Sequence, residues 1–148
     1  MSWSAWAELR LRHPDIWVHR CHLSEGAGWW CPDERMILVD ERLDQRQTRC
    51  VLAHELGHVA LGHEACHDYG DDAWLAGRIE AAADRWAAAR LVSLGCLLDA
   101  LVAHPDDVDA VCEQLDVTPD VVRTRLAMLD DAELARLAVR LAGQEQAA

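Results

Sequence analysis

The sequence predicts an α+β fold: mostly helical, with a small three-stranded antiparallel sheet packed on one long helix and a second long helix beside it. Three observations predict it. Alanine and leucine dominate the composition, which favours helix. Apolar residues recur at helical spacing along most of the chain from Asp44 onward. Only residues 16–39 hold short apolar or aromatic runs broken by Gly, Pro and Asp, the pattern of strands and turns. The 148 residues are the size of one ordinary domain, and 51% hydrophobic residues suffice for a core.

Ser2 to Arg12 reads as a first helix, capped by Ser2 or Ser4, with Trp6 and Leu9 three apart on its apolar face. His13-Pro14-Asp15 ends it, since proline disfavours helix at the residue before it. Ile16 to Leu23 reads as a strand, and Ser24 to Gly28 as a turn region. Trp29–Cys31 and Met36–Val39 are two further strands joined by Pro32-Asp33-Glu34-Arg35. Asp44 to Leu61 is a long helix, with Val51, Leu52, Leu56 and Val59 at helical spacing. A polar connector, Gly62 to Asp71, leads to a second, alanine-rich helix over Asp72 to Val92. Shorter helices follow: one capped by Ser93 and running to Ala103, one over Asp106 to Leu115, and one opened by Thr118-Pro119, a cap followed by proline at the first helical position. The last runs from about Asp130 to Leu141, with Gly143 ending it.

A formal charge of −12 argues against broad electrostatic binding to nucleic acid or to an anionic membrane surface. Met1 to Arg12 lacks the long apolar run of a signal peptide, and no stretch reaches the roughly 18 apolar residues of a membrane span. The expected location is the cytoplasm, with no membrane partner. Six cysteines, none in a CxxC pair, are then expected to be reduced and mostly buried. Seven Trp with one Tyr and no Phe suggest that tryptophan supplies the aromatic part of the core, Trp29-Trp30 sending one ring to each side of a strand.

The chemistry sits in His54-Glu55-Leu56-Gly57-His58. Histidines four apart lie on one helix face, one turn apart, and can grip one tetrahedral Zn²⁺. Glu55 is turned by roughly 100° from His54. It can reach a water beside the ion but not easily the ion itself, as metal-assisted hydrolysis needs: the carboxylate takes the water's proton and passes it to the leaving amine. Gly57 weakens the helix by up to about 1 kcal/mol relative to alanine, so something is expected to pack closely there. A third protein ligand is required, and Glu80 and Asp84 share a face of the second helix at the same four-residue spacing. Glu80-Ala81-Ala82-Ala83-Asp84 resembles the ExxxD element of gluzincin metalloproteases, which implies Glu80 as third ligand and Asp84 as the carboxylate holding a ligand histidine by its far nitrogen. The alanines between them let two helices approach closely. A metzincin pattern fails, because Leu61 and Glu64 stand where it needs glycine and histidine. His63, His67 or Asp84 are the alternative third ligands, and a site without a third protein ligand is the remaining alternative. His63 and His67 otherwise read as a solvated polar loop that could orient substrate or stabilise an oxyanion, with Tyr69 a third candidate for that role.

Four pieces together resemble the ImmA/IrrE family of small metallopeptidases: Met36-Ile37-Leu38-Val39, the helix from Arg49 to His58, Glu80 to Ala88, and Val117 to Leu126 with its Arg125-Leu126 pair. Ala82 replaces a glutamate of the family's second motif, Trp86 stands for its Phe, and Arg90-Leu91-Val92-Ser93 stands where Leu-Leu-Met-Pro is usual. The resemblance implies a zinc-dependent endopeptidase with one Zn²⁺ per chain. Its substrate would be a partner protein, an Xre-type helix-turn-helix transcriptional repressor of a phage or mobile element or a stress regulator of that kind. The different-class alternative is a zinc-bearing module that binds such a regulator without cutting it. On this reading residues 1–148 form a single metallopeptidase domain, 1–103 the catalytic core and 104–148 a helical C-terminal extension.

That extension has the outline of a helix-turn-helix: Asp106–Leu115, Asp116-Val117, Thr118–Leu129. Between His104 and Asp130, however, seven acids (Asp106, Asp107, Asp109, Glu113, Asp116, Asp120, Asp130) face two bases (Arg123, Arg125), −5 net. A helix reading phosphates should not carry that balance, so direct DNA binding is not expected. A helical support packed on the catalytic pair, or a docking surface for the partner, is. Leu115, Val117, Val121, Val122, Leu126 and Leu129 then belong to the core.

Overall fold

The protein, seen in a computed structural model, is described over residues 3–64 and 72–145. Helix α1 (Ala5–Arg12) precedes strands β1 (Trp17–Cys21), β2 (Gly28–Cys31) and β3 (Met36–Asp40). Helices α2 (Gln45–Leu61) and α3 (Ala73–Leu91) follow. Then come α4 (Leu94–Ala103), α5 (Val108–Leu115), α6 (Pro119–Ala127) and α7 (Asp131–Glu145). The α+β class is as expected.

The sheet departs from expectation in one respect: it is mixed, with order β1-β3-β2. Strand β3 runs parallel to β1 (Val18 opposite Ile37) and antiparallel to β2 (Trp30 opposite Ile37). Burial explains the order. Met-Ile-Leu-Val-Asp is the most apolar of the three strands, and Ile37 and Val39 are fully buried. It therefore takes the centre, while Trp-Val-His-Arg-Cys and Gly-Trp-Trp-Cys take the edges. Residues 22–35, β2 included, form the crossover that a parallel pair requires. Among the described residues β2 lies at one edge of the sheet.

Helix α2 divides the core. A capping box opens it: Asp44 accepts from the Gln47 N–H at 2.8 Å, and the Gln47 side chain accepts from the Asp44 N–H at 3.0 Å. Leu52 and Leu56 pack with Ala5, Leu9, Ile16, Trp30, Ile37 and Val39 on the sheet side. On the opposite side Cys50 and Ala53 join Ala87, Leu91, Leu97, Val111, Val117 and Val122. A helix buried on two faces is apolar nearly all round, so Val51 and Val59, counted in the sequence as part of one stripe, are only partly buried.

The C-terminal helices pack on this pair. Val117 and Val122 are buried, and Leu115, Val121, Leu126 and Leu129 pack against the same cluster. Arg49 of α2 donates to the carbonyls of Leu115 and Asp116 at the α5–α6 turn. Buried Arg125 donates from Nε to the Val92 carbonyl at 3.0 Å, tying α6 to the end of α3.

Several expectations need correction. The buried face of α1 is Ala5 and Leu9, four apart, and Trp6 is 46% exposed. Trp30 is buried, while Trp3 and Trp86 stack edge-to-face at 5.8 Å and are partly buried. Trp17 and Trp74 are exposed, so tryptophan serves the core only in part. Gly143 does not end α7, which continues to Glu145. A glycine in an exposed helix costs only about 1 kcal/mol and stops nothing unless the chain turns there. Of the cysteines, the five described are free: Cys50 and Cys112 buried, Cys21 and Cys31 partly so, Cys96 exposed. Among the described residues no single helix is long and apolar enough to cross a membrane.

At the end of β3, Asp40 is 2% exposed and accepts from the backbone N–H and Nε of Arg42 at 2.8 and 2.9 Å. These bonds hold its carboxyl well below the usual carboxylate range. A depressed folded-state pKa contributes stability above the ordinary value, about 4, and loses it as pH falls towards the folded one. Asp40→Asn is expected to lower the urea midpoint at pH 7 and to shrink the drop in midpoint between pH 5 and pH 3. An unchanged drop means that Asp40 is not one of the groups driving acid unfolding.

Candidate metal centre

The two long helices bring four predicted residues together. From α2, His54 and His58 present their Nε2 atoms 3.0 Å apart. From α3, Glu80 places Oε2 3.1 Å from His54 Nε2 and Oε1 3.5 Å from His58 Nε2. One ligand atom from each of His54, His58 and Glu80 lies within 4.8 Å of the others. Asp84 Oδ1 lies 2.8 Å from His54 Nδ1, the nitrogen facing away from the triad. His58 is 1% exposed, whereas the Glu80 and Asp84 side chains are 44% and 54% exposed, so the centre is walled by α2 and open along α3.

Gly57 explains how the helices come so close. A Cβ there would lie 2.9 Å from the Ala83 carbonyl oxygen and 3.1 Å from its Cα. Ala83 lies between Glu80 and Asp84 in the sequence, directly before Asp84, so the point of closest approach sits beside the triad. This is the close packing that a glycine in mid-helix implied.

Glu55 packs against β2, its Oε1 beside Gly28, and is 5% exposed. Burial pushes its carboxyl up to about 7, with Glu80 adding to the rise. His54, His58 and a hydrogen bond from the Trp30 N–H pull the other way. A carboxylate poised near neutrality is suited to general-base work. At His54 burial pulls the pKa down, but the bonds to Asp84 and Glu80 outweigh it and raise it to about 10. The site therefore favours positive charge where the three ligand atoms converge. Two imidazoles and a carboxylate fit a divalent metal ion with a coordination position left open.

A cleft of about 530 Å³ adjoins the centre. Gly28, Trp29 and Trp30 line it from β2, Val51 and Glu55 from α2, and Ala87 from α3. Thr118, the cap of α6, and Val121 and Thr124 within it form a further wall, on the segment that the sequence reading gave as a helical support or a docking surface, with Val121 in the core. Gly28 was also missed, being read as turn. It opens β2, and a Cβ there would lie 2.5 Å from Val51 Cγ1 and 2.8 Å from Glu55 Oε1. Glycine in a strand marks close approach of another group, the signal that could have found it.

The remaining candidates fall elsewhere. His63 does not join the triad: its Nδ1 lies 3.0 Å from Nδ1 of His58, behind the ligand ring. Burial, then the neighbouring His58, lower its pKa. His67 and Tyr69, proposed for substrate or oxyanion contact, lie outside the described residues, as does Cys66.

A helix carrying His-Glu-x-x-His, faced by a glutamate from a second helix and flanked by a small sheet, defines the class: a metallopeptidase-type domain. The chain belongs to the IrrE N-terminal-like domain family, Peptidase_M78, whose model matches residues 11–127. The match takes in the sheet, both metal-centre helices and α6, and implies peptidase activity of the metallo type. Among curated proteins none matches the chain.

Proposed function

We propose that this protein is a zinc-dependent endopeptidase that hydrolyses a peptide bond in a partner protein, an Xre-type helix-turn-helix transcriptional repressor. The convergence of His54, His58 and Glu80 beside buried Glu55 carries the enzymatic part of this reading. The repressor rests on the ImmA/IrrE resemblance.

His54 Nε2, His58 Nε2 and the Glu80 carboxylate would hold the ion. Zinc suits two nitrogens and one oxygen with an open position, and when bound it supplies Lewis acidity that acidifies water and polarises a carbonyl. The protein's own groups do the rest. Asp84 accepts from His54 Nδ1–H and fixes which nitrogen faces the ion. Glu55 accepts the proton of the attacking water and returns it to the leaving amine. The outer side of β2, an edge strand lining the cleft, would receive an extended peptide by main-chain bonds, which demands little of its sequence. Val51, Ala87 and Val121 offer apolar contact to a substrate side chain in the cleft.

Co-expression with the product of each adjacent gene, read by mass spectrometry, tests the proposal. The expected result is one partner cut at one bond, its two fragments together heavier than the intact chain by one water, with one zinc per enzyme chain. A partner that binds tightly to the zinc-loaded protein yet stays whole after long incubation replaces this reading with that of a non-cleaving interaction module.

A further inference from the structure

We propose that His63 is a positioning residue for the metal centre: it braces the His58 ring from behind, as Asp84 braces His54. The inference rests on the proposed metal site and adds a partner for its second imidazole.

The placement follows from how α2 ends. Gly62 adopts φ +68°, the left-handed conformation that glycine takes without steric cost. Its N–H and that of His63 turn back onto the last turn of the helix, Gly62 to the His58 and Val59 carbonyls and His63 to the His58 carbonyl at 2.9 Å. This cap closes the helix by a backward bond across six residues. The same reversal folds the His63 side chain under the ring of His58, the rings 5.1 Å apart and the two Nδ1 atoms 3.0 Å apart. Residue 63 is thus fastened to residue 58 through both backbone and side chain.

Chemistry sets the direction of the side-chain bond. For His58 to offer a lone pair at Nε2 its proton must sit on Nδ1, and that N–H needs an acceptor because the ring is 1% exposed. Neutral His63 supplies the lone pair of its own Nδ1. A carboxylate would accept equally well, but the centre already gathers three carboxyl groups, Glu55, Glu80 and Asp84. An imidazole orients His58 without adding a fourth. The described residues lining the cleft do not include His63, so its contact is with the ligand rather than with substrate.

Zinc affinity, measured by competition with a chromophoric chelator on full-length protein, tests this without any substrate. His63→Ala is expected to bind Zn²⁺ about 10–100-fold more weakly, with the melting temperature of the zinc-free protein unchanged. His63→Asn, whose Oδ1 can stand near the position of Nδ1, should recover most of the affinity. The visible bands of the Co²⁺-loaded protein should shift in His63→Ala and return in His63→Asn. Parental affinity in His63→Ala overturns the proposal. So does an affinity loss that tracks a fall in zinc-free stability and is not rescued by Asn. A parent protein that binds no Zn²⁺ overturns instead the metal-centre reading on which the proposal stands.

Discussion

Glu55→Gln should abolish cleavage while leaving the metal in place. The amide is nearly the same size and keeps an oxygen for the Trp30 N–H, so the wall between α2 and β2 need not move. The variant loses the ability to take up a proton. General-base assistance is worth about 10²–10⁴-fold, and a loss of that size in kcat is expected, with zinc still one per chain. Stability should move in the opposite direction. Glu55 is 5% exposed, and burial raises its carboxyl from the ordinary range to about 7. The folded state therefore binds the proton more tightly than the unfolded one. Stability is lost as pH rises from the unfolded pKa towards the folded one, and the loss is complete above it. Gln escapes this penalty, so zinc-free Glu55→Gln should melt higher than zinc-free parent at pH 8 and gain little at pH 4. In the parent, activity should show an acid limb at or below about pH 7, since a cation at the triad pulls the carboxyl further down. A Gln variant cleaving at the parental rate would remove Glu55 from the mechanism.

The metal centre was legible because its spacing is local. Four-residue steps on two helices are fixed by helix geometry alone, and both helices announce their ends, α2 with Asp44 and Gln47 and α3 with Asp72 accepting from the Leu75 N–H. What depended on distant pairing was not legible. Nothing local distinguishes β1–β2 from β1–β3 pairing, and three strands joined by short turns read as antiparallel. The decision lies in which strand is buried on α2, and Ile37 and Val39 win it. The same holds for α6. Val121 and Thr124 look like the face of a supporting helix until the α3–α6 contact turns them towards the cleft. His63 illustrates a finer limit. As part of a polar connector it read as solvated, and only the left-handed turn at Gly62 shows that it returns to the helix just ended.

Gly57 and Gly77 set a second test, because one substitution at two helical glycines should give opposite signs. Each sits in a helix interior, where alanine is favoured by up to about 1 kcal/mol. At Gly77, exposed on α3, an added Cβ meets nothing within 4 Å. Gly77→Ala should realise that gain and leave zinc binding alone. At Gly57 the added carbon meets the Ala83 carbonyl oxygen at 2.9 Å and its Cα at 3.1 Å, backbone atoms that cannot swing aside as a side-chain tip can. Relief requires α2 and α3 to separate. Overpacking of this kind costs about 1–3 kcal/mol, more than the propensity gain, so Gly57→Ala should be destabilised on balance. The functional loss should exceed the loss in stability. Glu80 and Asp84 lie three residues before and one after Ala83, so a shift of α3 carries both away from His54. Ligand distances tolerate only about 0.2 Å, and zinc affinity should fall by more than tenfold even at temperatures where the variant is fully folded. Thermal melts and chelator competition on the two variants side by side decide the matter. If Gly57→Ala matches Gly77→Ala in both measurements, the close contact at Ala83 is not what holds the centre together.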